Sequence, residues 1–251
     1  MAKKVSAKQK SVPVVPSTVA STPLVIEAFD LAKHVYKNDA FVELVKDAIR
    51  FFNGTPVHRL PPPEKFHGTG IYALYYTGHA APYTKYAELN RLAYDFPIYI
   101  GKAVPKGWRQ SRTEHNVETK ASELYSRLNE HASSIRKVDS LAIEDLSCRF
   151  MIFEGTSSDI TGTLEANVIK WKKPIWNSFL DGFGNHDPGK GRYEQARSNW
   201  DVVHPGRGWA EKCKGKTRTR VSILKGIESF LSKVGQTTSL PMDPSGGSAF
   251  E

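Results

Sequence analysis

The sequence has few cysteines and no long apolar run, and both features narrow the class of protein. Its two cysteines, Cys148 and Cys213, lack the paired spacing of a zinc site and are too few for a disulfide scaffold. No run approaches the roughly 18 apolar residues of a membrane-spanning helix, and the polar start MAKKVSAKQK does not resemble a signal peptide. We therefore expect a soluble cytoplasmic protein with reduced thiols and no membrane partner.

Acidic residues are outnumbered by basic ones. The chain has 35 Lys and Arg against 26 Asp and Glu, a formal net charge of +9. Such an excess favours an anionic partner, either nucleic acid or an acidic membrane surface, and charge alone does not choose between them.

Changes in composition divide the chain into five segments. The first is basic and lacks a period, the second carries helical periodicity that fits two amphipathic helices, and the last is polar and rich in small residues. We predict a flexible basic arm (1–22), an N-terminal helical segment (23–65), a core segment (66–180), a loop with a basic helical extension (181–235) and a flexible tail (236–251).

The core segment alternates short aromatic runs with helical periodicity. The runs GTGIYALYYTG, FPIYIGKA and CRFMIFEG are bounded by glycine and predict three strands. A helix is predicted over Glu118–Ile135, and another over LEANVIKWKK, which Pro174 ends. A terminal helix is expected after the basic run that starts at Lys212.

Two tripeptides and four single residues occur along these elements in a distinctive order, and the tyrosine of each tripeptide makes six catalytic candidates in all. They are Gly70-Ile71-Tyr72, Tyr99-Ile100-Gly101, Arg127, His131, Glu165 and Asn177. Over about residues 66–180 this series resembles the GIY-YIG nuclease superfamily, and it is most similar to the type II restriction endonucleases that cut GC-rich palindromes such as CCGCGG.

The resemblance implies an α/β (α+β) fold with a small three-stranded sheet flanked by helices. The N-terminal helical segment and a basic C-terminal extension would decorate this core. Residues 73–98 form a longer insertion after the first strand than the short turn of compact family members.

Phosphodiester hydrolysis needs an in-line water, a group that accepts its proton, and positive charge near the phosphate. Glu165 offers a carboxylate suited to Mg²⁺ or Mn²⁺, and Arg127 can bind a phosphate oxygen from the same helix face as His131. The resemblance implies that Tyr72 is the general base. His131 either accepts the Tyr72 proton or orients the water.

The two remaining residues of the series have supporting roles. Tyr99 would hydrogen-bond the nucleophile or the phosphate, and Asn177 would hold neighbouring groups. Taken singly, each of the six is more often an ordinary packing or surface residue, so the hypothesis depends on their joint occurrence. Five other histidines lack ligand spacing and are assigned no metal: His67, His79, His115, His186 and His204.

Basic residues outside the catalytic series are predicted to contact DNA. Lys102 follows the second tripeptide, and a loop rich in Gly, Asn and aromatic residues can carry arginines to guanine edges. The run from Lys212 to Arg220 either neutralises phosphates or is a solvated terminus. The predicted contacts are Lys102, Lys190, Arg192, Arg197, Arg207, Lys212, Lys214, Lys216, Arg218 and Arg220.

These features predict a metal-dependent type II restriction endonuclease of the bacterial cytoplasm. A palindrome in double-stranded DNA presents two equivalent scissile phosphates, so we expect a homodimer with one active site for each strand. The alternatives are a repair or homing nuclease of the same superfamily, or a catalytically silent DNA-binding protein with this fold.

Overall fold

The computed structural model describes residues 28–105, 122–154 and 159–235. The predicted arm and tail, 1–22 and 236–251, therefore lie outside the described residues. The chain divides into two compact units, Met1–Asp39 and Ala40–Glu251. In the first unit, the described residues contain a short 3₁₀ helix, Leu31–His34.

Seven α-helices and four strands are found among the described residues. The helices are α1 (Asp39–Gly54), α2 (Thr84–Leu89), α3 (Glu123–Arg136), α4 (Thr161–Lys172), α5 (Ile175–Ser178), α6 (Asn199–Val203) and α7 (Arg220–Leu231). The strands are β1 (Val57–Arg59), β2 (Thr69–Tyr76), β3 (Tyr99–Ala103) and β4 (Leu146–Phe153). None of these helices combines the length and the apolar character that crossing a bilayer requires.

The predicted α+β class is confirmed, and the predicted strand count is wrong. The sheet has four antiparallel strands in the order β1-β4-β2-β3. The additional strand, β1, lies in the segment 23–65, after the two helices that were predicted to end before Pro56, and it pairs along β4. Three residues are too few for the alternation that identifies a strand in a sequence.

Most of the helices predicted from periodicity are present, and one is not found among the described residues. Of the two amphipathic helices expected before Pro56, the second is α1, whereas the described part of the first holds only the 3₁₀ helix. None of the residues Leu31–His34 is buried, and a short helix gains most of its stability from burying an apolar face. The helices α3, α4 and α7 are confirmed, although residues 118–121 lie outside the described part.

Helices cover both faces of the sheet around its central strand. All eight residues of β2 are buried. Tyr72, Leu74 and Tyr76 point to the face that packs on α3, whereas Ile71 and Ala73 point to the face that α1 and α4 cover. Burial on both faces explains why the β2 sequence is almost continuously apolar.

The insertion after β2 is packed structure rather than a long loop. It contains a 3₁₀ helix at Ala81–Tyr83, followed by α2, and it buries Tyr83 and Tyr86. The Asn90 amide donates to the carbonyls of Tyr76 and Phe96 at 3.2 and 3.0 Å, and its oxygen accepts the Phe96 N–H at 3.0 Å. One side chain therefore ties the end of the insertion to the end of β2.

Arg207 is an interior residue, which corrects its predicted role in reading bases. It is 2% exposed, and its Nε and Nη2 donate to the Asp201 carboxylate at 2.7 and 2.8 Å. The guanidinium also donates to the carbonyls of Gly182, Phe183 and Asn185 at 2.8 to 3.2 Å. Because the fold uses these donors to hold the loop at 182–185, they are not presented to a DNA groove.

We predict that Arg207→Met lowers the free energy of unfolding by about 3–5 kcal/mol, because it leaves the Asp201 carboxylate buried without its partner. The exposed Arg192 provides a matched control, and Arg192→Met should change stability by less than about 0.5 kcal/mol. Urea unfolding of the two variants measures both values. Equal stabilities would show that the buried pair contributes nothing.

Candidate active site

The two tripeptide motifs lie side by side on adjacent strands. Tyr72 of β2 pairs with Gly101 of β3, and Gly70 pairs with Ala103. A Cβ atom on Gly101 would overlap the Tyr72 hydroxyl, and a Cβ atom on Gly70 would overlap the carbonyl of Met151 on β4. Close approach of neighbouring groups therefore requires both motif glycines.

Tyr72 makes a buried hydrogen bond to α3. Its hydroxyl lies 2.6 Å from Nε2 of His131, and the two residues are 0% and 2% exposed. Burial, helped by the charge of Arg127, holds the pKa of His131 well below its usual range, whereas burial raises the pKa of Tyr72 well above its own. Both groups are therefore neutral near pH 7. In the tautomer protonated on Nδ1, His131 accepts the hydrogen bond that Tyr72 donates.

Aromatic rings hold this pair in place. The Tyr99 ring contacts those of His131 and Tyr72, with centroids 5.2 and 6.2 Å apart. Phe183 stacks on the His131 imidazole with centroids 4.6 Å apart and packs against Tyr99 through its edge. No sequence pattern singles out Phe183, because its position depends on how its loop folds back over α3.

Arg127 lies one helical turn before His131. Its guanidinium donates to the Gly184 carbonyl at 3.0 Å and to the Glu130 carboxylate at 2.9 Å, and it contacts the His186 imidazole. The sequence placed His186 in a loop without a functional role. The structure instead brings it against Arg127, one of the predicted catalytic residues.

Asn177 contacts the backbone of β3. Its Oδ1 accepts the N–H of Ile100 and its Nδ2 donates to the carbonyl of the same residue, each at 2.8 Å. The backbone N–H of Trp176 donates to the carbonyl of Ile98 at 3.0 Å. Because β3 is an edge strand, its outward peptide groups lack a neighbouring strand, and residues of α5 take that place.

Glu165 approaches β3 from the opposite face of the sheet, on α4. Its carboxylate lies 2.6 Å from the ammonium of Lys102, and the two side chains are 17% and 26% exposed. Burial is the main cause of the raised pKa of Tyr72 and of Tyr99, and the negative charge of Glu165 also raises both. The carboxylate is thus electrostatically close to the tyrosines although it lies on another face.

The donors present suit a divalent ion shared with substrate rather than a closed metal site. Within 28–105, 122–154 and 159–235, no group of three or more Asp, Glu, His or Cys side chains is arranged to hold a metal. Mg²⁺ keeps several waters and needs only one or two protein carboxylates when phosphate oxygens complete its shell. Glu165 fits that requirement, and its carboxylate already lies against a cation.

The other predicted DNA contacts are distributed over the surface. Lys190 and Arg192 lie on an exposed 3₁₀ helix, Lys190–Arg192, and Arg197 is half-buried. Exposed cations alternate with half-buried residues along the segment from Lys212 to Arg218, and Arg220 begins α7. The exposed members of this basic segment are Lys212, Lys214, Lys216, Arg218 and Arg220.

Comparison with known proteins gives one family. The family model described as the Eco29kI GIY-YIG domain matches residues 64–231, well over half of the chain. A search of curated proteins found no match. The matched range includes both tripeptide motifs, α3, α4 and Asn177. The chain therefore belongs to the Eco29kI GIY-YIG family of restriction endonucleases, and it is a GIY-YIG nuclease.

Proposed function

We propose that the protein is a type II restriction endonuclease that hydrolyses one phosphodiester bond in each strand of double-stranded DNA. Its target is a short palindrome, GC-rich and similar to CCGCGG, which we infer from the likeness of the residue series to enzymes with that specificity. The observation that carries the catalytic proposal is the buried hydrogen bond between Tyr72 and His131.

Through that hydrogen bond, Tyr72 can pass its own phenolic proton to His131 when it acts as the general base. A tyrosine with a raised pKa is a phenol at neutral pH, so Tyr72 accepts a proton only if it releases one. His131, held neutral by burial, is the acceptor. As the water oxygen bonds to phosphorus, its proton passes to the Tyr72 oxygen and the phenolic proton passes to Nε2. The bond from phosphorus to the 3′ oxygen then breaks, and this oxygen leaves with the bonding electrons and takes a proton from solvent.

Charge on the phosphate is balanced from two sides. Arg127 binds a nonbridging phosphate oxygen, exchanging its contacts with Glu130 and His186 for the substrate. Tyr99 hydrogen-bonds the phosphate or the attacking water. Glu165 holds Mg²⁺ or Mn²⁺, which when bound supplies positive charge at the phosphate. Since Tyr72 is fully buried without DNA, the site must open locally when the substrate arrives.

Asn177 positions the strand on which the motif lies. Its two hydrogen bonds to Ile100 hold β3 between the motif residues Tyr99 and Gly101. Asn177 is therefore a positioning residue, because its amide contacts protein backbone.

Two equivalent scissile phosphates in a palindrome call for two equivalent active sites. A homodimer with a twofold axis supplies them. The exposed cations of the basic segment, together with Lys190 and Arg192, neutralise phosphates of the duplex.

The first prediction from this proposed function is that the purified protein cuts plasmid DNA in both strands when Mg²⁺ is present. Sequencing the ends should reveal one short palindrome. Glu165→Gln should leave the plasmid intact while still binding it, because the lost carboxylate holds the metal rather than the duplex. If the unaltered protein makes only single-strand nicks, a repair nuclease is favoured, and if it cuts at a long asymmetric site, a homing nuclease is favoured. If the unaltered protein leaves the plasmid intact, the chain is a silent DNA-binding protein.

The second prediction concerns the general base. Tyr72→Phe removes one hydroxyl and keeps the ring, so cleavage should fall on the order of 10² to 10⁴-fold while DNA binding is retained. Tyr75→Phe removes a buried hydroxyl from the opposite face of the same strand and should leave the rate near that of the unaltered protein. Single-turnover rates on a duplex with one site measure both. A Tyr72→Phe variant with more than about a tenth of the original rate would contradict the base role.

The third prediction concerns the basic segment. Replacing its five exposed cations with Ala should weaken binding to every duplex, and each lost phosphate contact should reduce the salt slope of log K by about 0.9. Replacing Lys46 and Arg50 of α1 with Ala is the control, and it should leave the slope unchanged. Fluorescence anisotropy over a range of NaCl concentrations measures the slope. Equal slopes for the two variants would mean that the basic segment is exposed to solvent and makes no contact with DNA phosphates.

A further inference from the structure

Lys102 and Glu165 form an ion pair that differs from other lysine pairs of the protein. Its carboxylate is 17% exposed, whereas the carboxylates that pair with Lys46, Lys85 and Lys214 are 59 to 82% exposed. The short distance, 2.6 Å, combines with partial exclusion of solvent. Charges that water screens poorly interact more strongly than those at the surface.

The position of this pair matters because Lys102 directly follows the YIG motif. It lies on β3 beside Gly101, which faces Tyr72, while Glu165 reaches β3 from α4. The negative charge of Glu165 also raises the pKa of Tyr72 and of Tyr99. The ammonium group therefore binds a carboxylate whose charge reaches both motif tyrosines.

We propose that Lys102 acts as a latch that occupies the Glu165 carboxylate in the DNA-free protein and weakens the binding of a divalent cation there. This inference rests on the proposed role of Glu165 as the metal ligand. An ammonium and a divalent cation repel each other at a single carboxylate, so the metal binds tightly only after Lys102 has left.

A DNA phosphate is the group that draws Lys102 away. Lysine carries a compact charge on a flexible stem, so it can exchange a carboxylate for a phosphate oxygen without a change in the backbone. The phosphate also supplies oxygens to the metal that Glu165 then holds. Metal and DNA consequently raise each other's affinity, since coupling between two binding sites is reciprocal.

The test is a calorimetric titration of the full-length, DNA-free protein with Mn²⁺. Lys102→Met keeps the length of the side chain and removes its charge, so it should bind Mn²⁺ at least about tenfold more tightly, which corresponds to one unit of the logarithm of the binding constant. Lys102→Arg keeps the charge and should bind as weakly as the unaltered protein. Lys46→Met, which breaks the pair with Glu43 on α1, is the matched control and should cause no change.

The Glu165→Gln change separates failure of the latch from failure of the metal assignment. The tighter binding of Lys102→Met should disappear in the double variant with Glu165→Gln. If Lys102→Met binds Mn²⁺ no better than the unaltered protein, while Glu165→Gln weakens binding in both, the latch is wrong and Glu165 remains the metal ligand. If the gain persists in the double variant, both assignments fail. If no variant binds Mn²⁺, the latch is wrong, because removing the Lys102 charge then does not make the Glu165 carboxylate available to the ion without DNA. Circular dichroism checks that each variant is folded.

Discussion

The missing side chain of Gly101 leaves the space that the Tyr72 ring occupies across the strand pair. A Cβ atom at Gly101 would overlap the tyrosine hydroxyl, which would then be displaced from Nε2 of His131. Because His131 and Arg127 lie one turn apart on α3, the position of that hydrogen bond also sets where the guanidinium lies relative to the sheet. The arrangement of both strands and of α3 thus depends on one close contact.

The edge position of β3 is the second constraint. An interior strand has neighbouring strands on both sides. Because β3 lies at the edge of the sheet, side chains from both faces can reach the same region beside it. Tyr99 belongs to the face that α3 covers, and Lys102 to the face from which Glu165 approaches. The same free edge requires a substitute for the missing strand, and Asn177 provides it. An amide side chain is suited to this because it carries a donor and an acceptor, as a peptide group does.

Sequence patterns predicted the elements that are long enough to show a period. The strands β2, β3 and β4 and the helices α1, α3, α4 and α7 were identified, but β1, with three residues, was missed. The order of the six catalytic candidates could also be read, whereas Phe183 and His186 could not. Both belong to a loop whose path depends on tertiary contacts, above all on the hydrogen bonds that Arg207 donates to its carbonyls.

Arg207 and Lys102 show why a count of cations overestimates the surface available to DNA. Both were predicted as DNA contacts, yet each is paired with a carboxylate. The planar guanidinium of Arg207 divides its donors between Asp201 and three carbonyls, so leaving that place would break several hydrogen bonds at once. Within the described part of the chain, the ammonium of Lys102 has a single carboxylate partner, Glu165, and both side chains keep some access to solvent. The first pair is a permanent part of the fold, whereas the second can exchange its partner.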